Sequence, residues 1–348
     1  MSASGVPEVS VVMGGRAGAA ELPGTSASVL AQKGVELELV VVDDGSTDAT
    51  PALLAELAAG DPRLRILRQD PQGLTAALIY GCAAARAPLI ARQDAGDWSH
   101  QERLRRLRDV LQANPGVVLV SSWAACLGPS GEPLFVELGR EACDLPVAML
   151  RGDPPSVVAG PTSHGSAMFR AEAYRVVGGY RREVALGQDW DLWQRLSLVG
   201  EYFQIGLTLY AQTLGERSLS FAFRDLQMEF GRLSLAALRA RVRGESEASF
   251  LGDAVQLSHR VERERAQRAR HGPALGAYHV GELLRRAGDS RCRRYFLRAL
   301  GSRSTAARAA VRLAQSLRLA PRPPTLEQDH FAWVPSEDRR GPASPAHR

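Results

Sequence analysis

The chain has 348 residues, 45% of them hydrophobic, which is enough for one large α/β domain with an appendage and a sizeable core. Its net charge of +5 is carried by Arg, with Lys33 the single lysine, and from Phe221 to Arg322 there are 21 Arg against nine Asp and Glu. The basic character therefore belongs to the C-terminal third. No run of 18 apolar residues occurs, and Met1–Pro7 has neither a basic start nor an apolar core, so neither a membrane span nor a signal peptide is expected and the cytoplasm is the expected compartment. Cys82, Cys126, Cys143 and Cys292 form no C-x-x-C pair and read as reduced, structural cysteines.

In chain order, Val9–Met13 is a short apolar run and Leu37–Val42 a β-branched one, long enough for a buried strand and too short for a helix. Arg63–Arg68 and Ala87–Ala91 supply two more strands. Between them Pro23–Gln32, Thr47–Ala59 and Gly73–Arg86 carry Ala and Leu at helical spacing, and a strongly charged helix is expected over His100–Ala113. Strands alternating with helices of this length imply right-handed crossovers and a parallel sheet.

Three acidic clusters stand out. In Asp43–Asp48, Gly45 can turn the chain and Ser46 or Thr47 can cap the next helix. That leaves Asp44 free to point outward from a strand end, toward a base or a ribose; a plain capped turn is the other reading. Arg92–Trp98 (RQDAGDW) follows a strand at the edge where open α/β sheets bind ligands. Asp94 and Asp97 there suit Mg²⁺ or Mn²⁺ on a phosphate, or equally a helix cap. In Gly187–Leu196, Leu192, Leu196 and Val199 recur at helical spacing after an acidic start. Asp189 and Asp191 are two apart and cannot share a face, so one of them at most enters a site while the other meets solvent or a structural Arg. Trp193 reads as core, and Trp190 as core or a sugar platform.

The pieces PEVSVVM, LAQKGVELELVVVDDGSTDATPALL, QGLTAAL, PLIARQDAGDWSHQERL, HGSAMFRAEAYRVVGGY and GQDWDLWQRL, in that order over Pro7–Ser220, resemble the family 2 glycosyltransferases. The resemblance implies a GT-A fold, a Rossmann-like, mostly parallel sheet sandwiched by helices. It also implies inverting transfer of a sugar from a nucleoside diphosphate, UDP by preference, to a glycan, lipid-linked or other hydroxyl acceptor, with polysaccharide biosynthesis the expected setting. Carried over residue by residue, it puts Asp44, Gly73, Arg92 and Asp94 at the donor, Asp94 and Asp97 at the metal, and Asp189 as the acceptor's general base. His164, Gly165 and Trp190 fall on the acceptor side.

Three positions depart from the family pattern. Gly96 stands where a second metal carboxylate is usual, leaving Asp97 to take its part. Gln188 replaces a Glu whose charge would have raised the pKa of Asp189. The loop after the first strand is glycine-rich, Gly14–Gly18, with Arg16 able to reach a phosphate. The stretch TLYAQTLGERSLSF lacks the late histidine that completes the metal site in many relatives, and no third protein ligand is assigned.

Beyond Ser220 the pattern is helical. Phe221–Val242 and Glu247–His271 are long and charged, and Ala277–Leu300 resembles one tetratricopeptide-like hairpin turning at Gly288-Asp289. The expected organisation is a catalytic domain over 7–220, an all-α region over 221–319 and a disordered tail over 320–348. The Arg-rich helices read as a solvated face; peripheral contact with anionic lipid at the inner face of the membrane, or with an acidic polysaccharide, is the other reading. Nucleic acid is not expected. A nucleotidyltransferase would need a better basic phosphate loop than Gly14–Gly18, whereas a non-catalytic nucleotide-sugar-binding protein of the same fold would tolerate Gly96.

Overall fold

The computed structural model describes residues 5–138, 160–215 and 219–319, with 330 and 333. Cys143 and the tail from Ala320, apart from His330 and Trp333, lie outside the described residues. The chain divides into two compact units: residues 1–124, 138–210 and 225–262 form the first, and 125–137, 211–224 and 263–348 the second.

The first unit is built on parallel strands in the order β3-β2-β1-β4. They are β1 (Val9–Gly15), β2 (Leu37–Asp44), β3 (Leu64–Gln69) and β4 (Leu89–Arg92), with Val9 opposite both Leu37 and Leu89. Every residue of β2 is buried, as expected of a strand covered on both faces. That burial includes Glu38, which takes hydrogen bonds from Ser10 Oγ (2.6 Å), Arg65 (2.7 Å) and Arg86 (2.9 Å). Burial alone would raise this carboxyl; the donors together hold it below its usual value.

The crossovers are α1 (Leu22–Leu30), α2 (Thr50–Gly60) and α3 (Leu74–Ala84). Helix α3 comes unusually close to the sheet through small residues. A Cβ on Gly81 would fall 2.6 Å from Val12 Cγ1, and one on Gly14 would fall 3.0 Å from the Ala77 Cβ. Gly14 and Gly15 thus belong to β1, and the smallness of Gly14 serves packing.

Past β4 the sheet turns antiparallel, which the sequence did not reveal. β8 (Met168–Arg170) pairs with β4, Phe169 opposite Ile90, and with β6 (Val117–Leu127), Phe169 opposite Leu119. β9 (Glu201–Thr213) and the two-residue β5 (Trp98–Ser99) complete the order, and β7 (Pro133–Glu137) pairs with β6 off that path. A three-residue strand is too short to display a period of two. Helices α4 (Arg103–Ala113), α5 (Ala171–Val176), α6 (Gln188–Leu196) and α7 (Arg224–Val242) flank these strands.

The next helix, α8, runs unbroken from Ala248 to Arg286 with Pro273 inside it, where a break after His271 was expected. Proline removes one main-chain hydrogen bond. In the second unit that part of the helix is anchored independently: Arg268 donates to the Ala222 carbonyl at 2.7 Å and lies over the Phe223 ring. The Gly288-Asp289 turn leads to α9 (Cys292–Ala299) and α10 (Ala306–Ser316). Ala277, Val280, Leu284, Tyr295, Phe296 and Ala309 form the core there. Among the described residues no helix is long and apolar enough to cross a membrane.

Candidate active site

The site lies at the carboxyl ends of β2 and β4, on either side of β1, where open α/β sheets bind ligands. The loop leaving β1 spans the two sides. Its Ala17 N–H donates to Ser46 Oγ at 2.9 Å, and Gly18 lies against Ala95, a Cβ there falling 3.9 Å from the Ala95 Cβ. Arg16 is exposed, with no partner among the described residues.

On the β2 side the turn is organised differently from expectation. Asp43 caps it, accepting the Ser46 N–H at 2.9 Å, and Asp48 rather than Ser46 or Thr47 accepts the Thr50 N–H at the start of α2. Asp44 is not free. Its Oδ1 takes Gln69 Nε2 (2.7 Å) and Gln72 N–H (2.8 Å), and its Oδ2 takes Gly73 N–H (2.8 Å). Gly73 has φ +91°, a conformation that favours glycine and aims its N–H at the carboxylate. Asp44 and Gly73 are thereby one unit at the start of α3. Thr75 Oγ1 ties the same turn to the Val184 carbonyl at 2.9 Å, on the segment approaching α6.

On the β4 side Arg92 is fully buried and divides its donors. Nη1 reaches the Val12 carbonyl at 2.6 Å, Nη2 reaches Asp94 Oδ1 at 2.5 Å, and Nε reaches His164 Nε2 at 3.2 Å. An Nε2 that accepts carries no proton, so the ring is neutral. Burial, and the Arg92 charge after it, hold the His164 pKa well below the usual value, which agrees. The Tyr180 hydroxyl lies 2.7 Å from the same nitrogen.

Tyr210, near the end of β9, had no role in the sequence reading and holds the loop from beneath. Its hydroxyl donates to Asp97 Oδ2 at 2.6 Å and accepts the Asp94 N–H at 3.2 Å. Burial, then the Asp97 and Asp94 charges, push this phenol well above its ordinary value, so it keeps its proton. Gly165 is the place where the Tyr210 hydroxyl fits: a Cβ there would lie 1.8 Å from that oxygen. Arg103 is fully buried as well, donating to the Gly165 carbonyl (2.5 Å) and the Arg92 carbonyl (2.9 Å). Burial lowers its pKa to about 10, and it stays charged at neutral pH.

Asp189 opens α6, beyond Gly187 at φ +69°. Its carboxyl is pushed up to about 6, first by burial and then by the Asp94 charge, against main-chain hydrogen bonds and Arg92 that lower it. Gln188 therefore does not leave this aspartate with an ordinary pKa, because burial supplies the rise. Asp191 turns away and meets Arg195 (2.5 Å) and Arg181 (3.3 Å). Trp193 is core, edge-on to His164 and Phe169. Trp190 packs over Gly231 of α7, where a Cβ would fall 2.8 Å from its ring.

Arg92 thus joins Asp94 and His164 directly, Tyr210 links Asp97 to the Asp94 main chain, Asp189 comes within range of the Asp94 charge, and Asp44 and Gly73 stand as a separate pair across the β1 loop. Two buried arginines and Tyr210 answer the loop's acidic charge. No group of three or more His, Cys, Asp or Glu side chains is placed to hold a metal among the described residues.

Comparison with known proteins agrees with this architecture. Residues 10–152 match the family described as "Glycosyl transferase family 2". "Putative glycosyltransferase EpsE" of Bacillus subtilis (strain 168) is 33% identical over 195 residues, covering 54% of this chain and 66% of that protein. The chain spans under a third of the next two curated relatives, 29% and 28%. Among solved structures, S. aureus TarS 1–349 in complex with UDP superposes with TM-score 0.51 at 12% identity over 89% of each chain. The mannosyltransferase PcManGT of Pyrobaculum calidifontis, in complex with GDP-Man and Mn²⁺, gives TM-score 0.51 at 18% identity over 97% of this chain and 85% of its own. At these identities the superpositions establish a shared fold. The matched stretch, which takes in β1, Asp44 and the loop from Asp94 to Asp97, places residues 10–152 in glycosyl transferase family 2.

Proposed function

We propose that this protein transfers a sugar, with inversion, from a nucleoside diphosphate donor to a hydroxyl on a glycan or lipid-linked acceptor. The observation that carries the reading is Asp189: a recessed carboxyl raised to about 6, within range of the Asp94 charge and near the strand ends where a donor would lie. Such a group is ionised at neutral pH yet basic enough to take a proton.

In this reading Asp189 accepts the proton of the acceptor hydroxyl as its oxygen attacks the anomeric carbon. The bond from that carbon to the phosphate oxygen breaks on the opposite face, and the nucleoside diphosphate leaves with the electron pair. One base suffices for a single displacement, which inverts the centre. Asp44, fixed with Gly73, faces the nucleoside. Arg16, exposed at the end of β1, is positioned to meet the diphosphate. Holding the two substrates in line accounts for much of the remaining acceleration.

A divalent cation, Mg²⁺ or Mn²⁺, would be held by Asp94 and Asp97. The donor set fits: two carboxylates share one loop, and such ions commonly take one or two carboxylates and complete their shell with phosphate oxygens and water. Bound there, the ion would offset the charge gathering on the leaving diphosphate.

UDP is the donor nucleotide we favour, and the nucleotides bound by the two solved neighbours make it the first property to measure. In the second unit Arg285, Arg291, Arg294 and Arg312 are paired with Glu282, Asp289 or Glu132, which supports a solvated face over a grip on lipid. Calorimetric binding of UDP, GDP and dTDP sugars with and without Mn²⁺, to wild type and Asp97→Asn, tests the donor and the metal site on which the reading depends. Metal-dependent binding of one donor, lost in the variant, is the expected result. Binding of no donor under either condition would overturn this reading and the nucleotide-sugar-binding alternative alike.

A further inference from the structure

We infer that Tyr210 is a positioning residue that sets the geometry of the Asp94–Asp97 loop before any cation arrives; this rests on the reading of those aspartates as the cation's carboxylates. One phenol oxygen engages both ends of the turn, donating to Asp97 Oδ2 at 2.6 Å and accepting the Asp94 N–H at 3.2 Å. The Asp97 carboxylate and the main chain that carries the Asp94 carboxylate are therefore referred to a single fixed point. Bonds of this kind, behind the ligands, orient them and are worth 10–100-fold in metal affinity in typical sites.

The fixed point is itself held on all sides. The ring is fully buried, and the Arg103 guanidinium lies 5.1 Å over it. The hydroxyl occupies the space that a side chain at residue 165 would need. Arg103 closes the circuit, binding the Gly165 carbonyl and the Arg92 carbonyl, while Arg92 binds Asp94. Tyr210, Gly165, Arg103 and Arg92 thus form a ring of contacts around the loop, drawn from β9, the turn before β8, α4 and β4. With the loop ordered in advance, the cation need not supply that ordering entropy on binding.

The test is Mn²⁺ titration, followed by the electron paramagnetic resonance of the free ion, in the presence of whichever of UDP, GDP or dTDP wild type binds. Tyr210→Phe keeps the ring and removes the hydroxyl. The expected result is Mn²⁺ affinity weakened about tenfold or more. Unaltered Mn²⁺ affinity in Tyr210→Phe, beside a strong loss in Asp97→Asn, would overturn the inference and leave the two-carboxylate site standing. If wild type takes up no Mn²⁺ with any of the three nucleotides, the site reading fails and the inference falls with it. Amide hydrogen exchange of metal-free wild type gives a second measurement that needs no variant. The Asp94 amide is expected to be protected without metal; exchange at the rate of an open loop until Mn²⁺ is added would mean that the ion, not Tyr210, does the ordering.

Discussion

Asp191 and Arg195, one turn apart on α6, form a buried pair, with Nη2 and Nε at 2.5 and 3.0 Å from Oδ2. Arg181 adds a third contact to Asp191 and a bond to Glu247. The two acids at the start of α6 are thus divided by direction: Asp191 faces cations that neutralise it, and Asp189 is buried within range of the Asp94 charge. Truncating Asp191 leaves Arg195 buried without its counter-charge, which costs about 3–5 kcal/mol in comparable sites. Asp191→Ala is therefore expected to lower the unfolding midpoint sharply. Asp189→Asn is expected to lower kcat by about 10²–10⁴-fold with donor binding retained. Denaturant unfolding and steady-state kinetics on the two variants separate the roles.

The raised pKa of Asp189 makes a second, independent prediction about pH. Catalysis needs the carboxylate, so kcat/KM in the free enzyme rises as pH climbs through about 6 and levels off above it. Stability moves the other way. Below the unfolded pKa, near 3.9, both states carry the proton and nothing changes. Between about 4 and 6 the folded state still holds a proton that the unfolded chain has released, so stability falls as pH rises through that window, by about 3 kcal/mol for two pKa units. Asp189→Asn removes the loss. The variant should match wild type at pH 4 and exceed it in urea unfolding at pH 7.5; equal stability at both would mean that the carboxyl titrates normally.

Gly96 shows why the usual second metal acid is absent from the loop. Its φ is +92°, and its N–H donates to Thr25 Oγ1 at 2.9 Å. A Cβ there would meet Glu21, its Cγ at 3.5 Å and its Cβ at 3.8 Å, so space is not the obstacle. The obstacles are the backbone, which costs an L-residue about 1–2 kcal/mol, and the acidic neighbour. Gly96→Asp is expected to lose that much stability and to bind Mn²⁺ no more tightly than wild type. A tenfold gain in Mn²⁺ affinity would show that the loop relaxes to admit a third carboxylate.

The sequence exposed the features that local pattern encodes. The Leu37–Val42 run could only be a short buried strand; Asp94 and Asp97 are neighbours in the chain; the leucine spacing after Asp189 declares its helix. Tyr210 was illegible because its partners lie more than a hundred residues earlier, within a strand that gives no hint of a polar contact. Arg103 was misleading in the opposite sense. In RLRRLRDVLQA nothing sets it apart from the other arginines, yet it is buried along with Leu104, Leu107 and Leu111. Gly165 looked like an acceptor-side loop residue, and only the position of the Tyr210 hydroxyl explains why a side chain is excluded there. Asp44 was singled out correctly as a strand-end acid, but its engagement with residues 69–73 depends on how α3 packs on β1, which no local pattern records.

That engagement yields the last prediction. Asp44 accepts three N–H groups, two of them from the main chain of Gln72 and Gly73. An amide at this position has one oxygen and one NH₂, so in either orientation at least one main-chain N–H faces another donor. A buried donor left without its acceptor costs about 1–3 kcal/mol. The turn at Gly73 loosens, and with it the start of α3 and the nucleoside face of the site. Asp44→Asn is expected to raise donor KM about tenfold while kcat at saturating donor stays within a few-fold, because the interaction is with the part of the donor that does not react. The change in donor affinity is read directly by calorimetry without acceptor. A variant that loses stability but keeps wild-type donor affinity would reduce Asp44 to a fastener of the loop and place the nucleoside elsewhere along the strand ends.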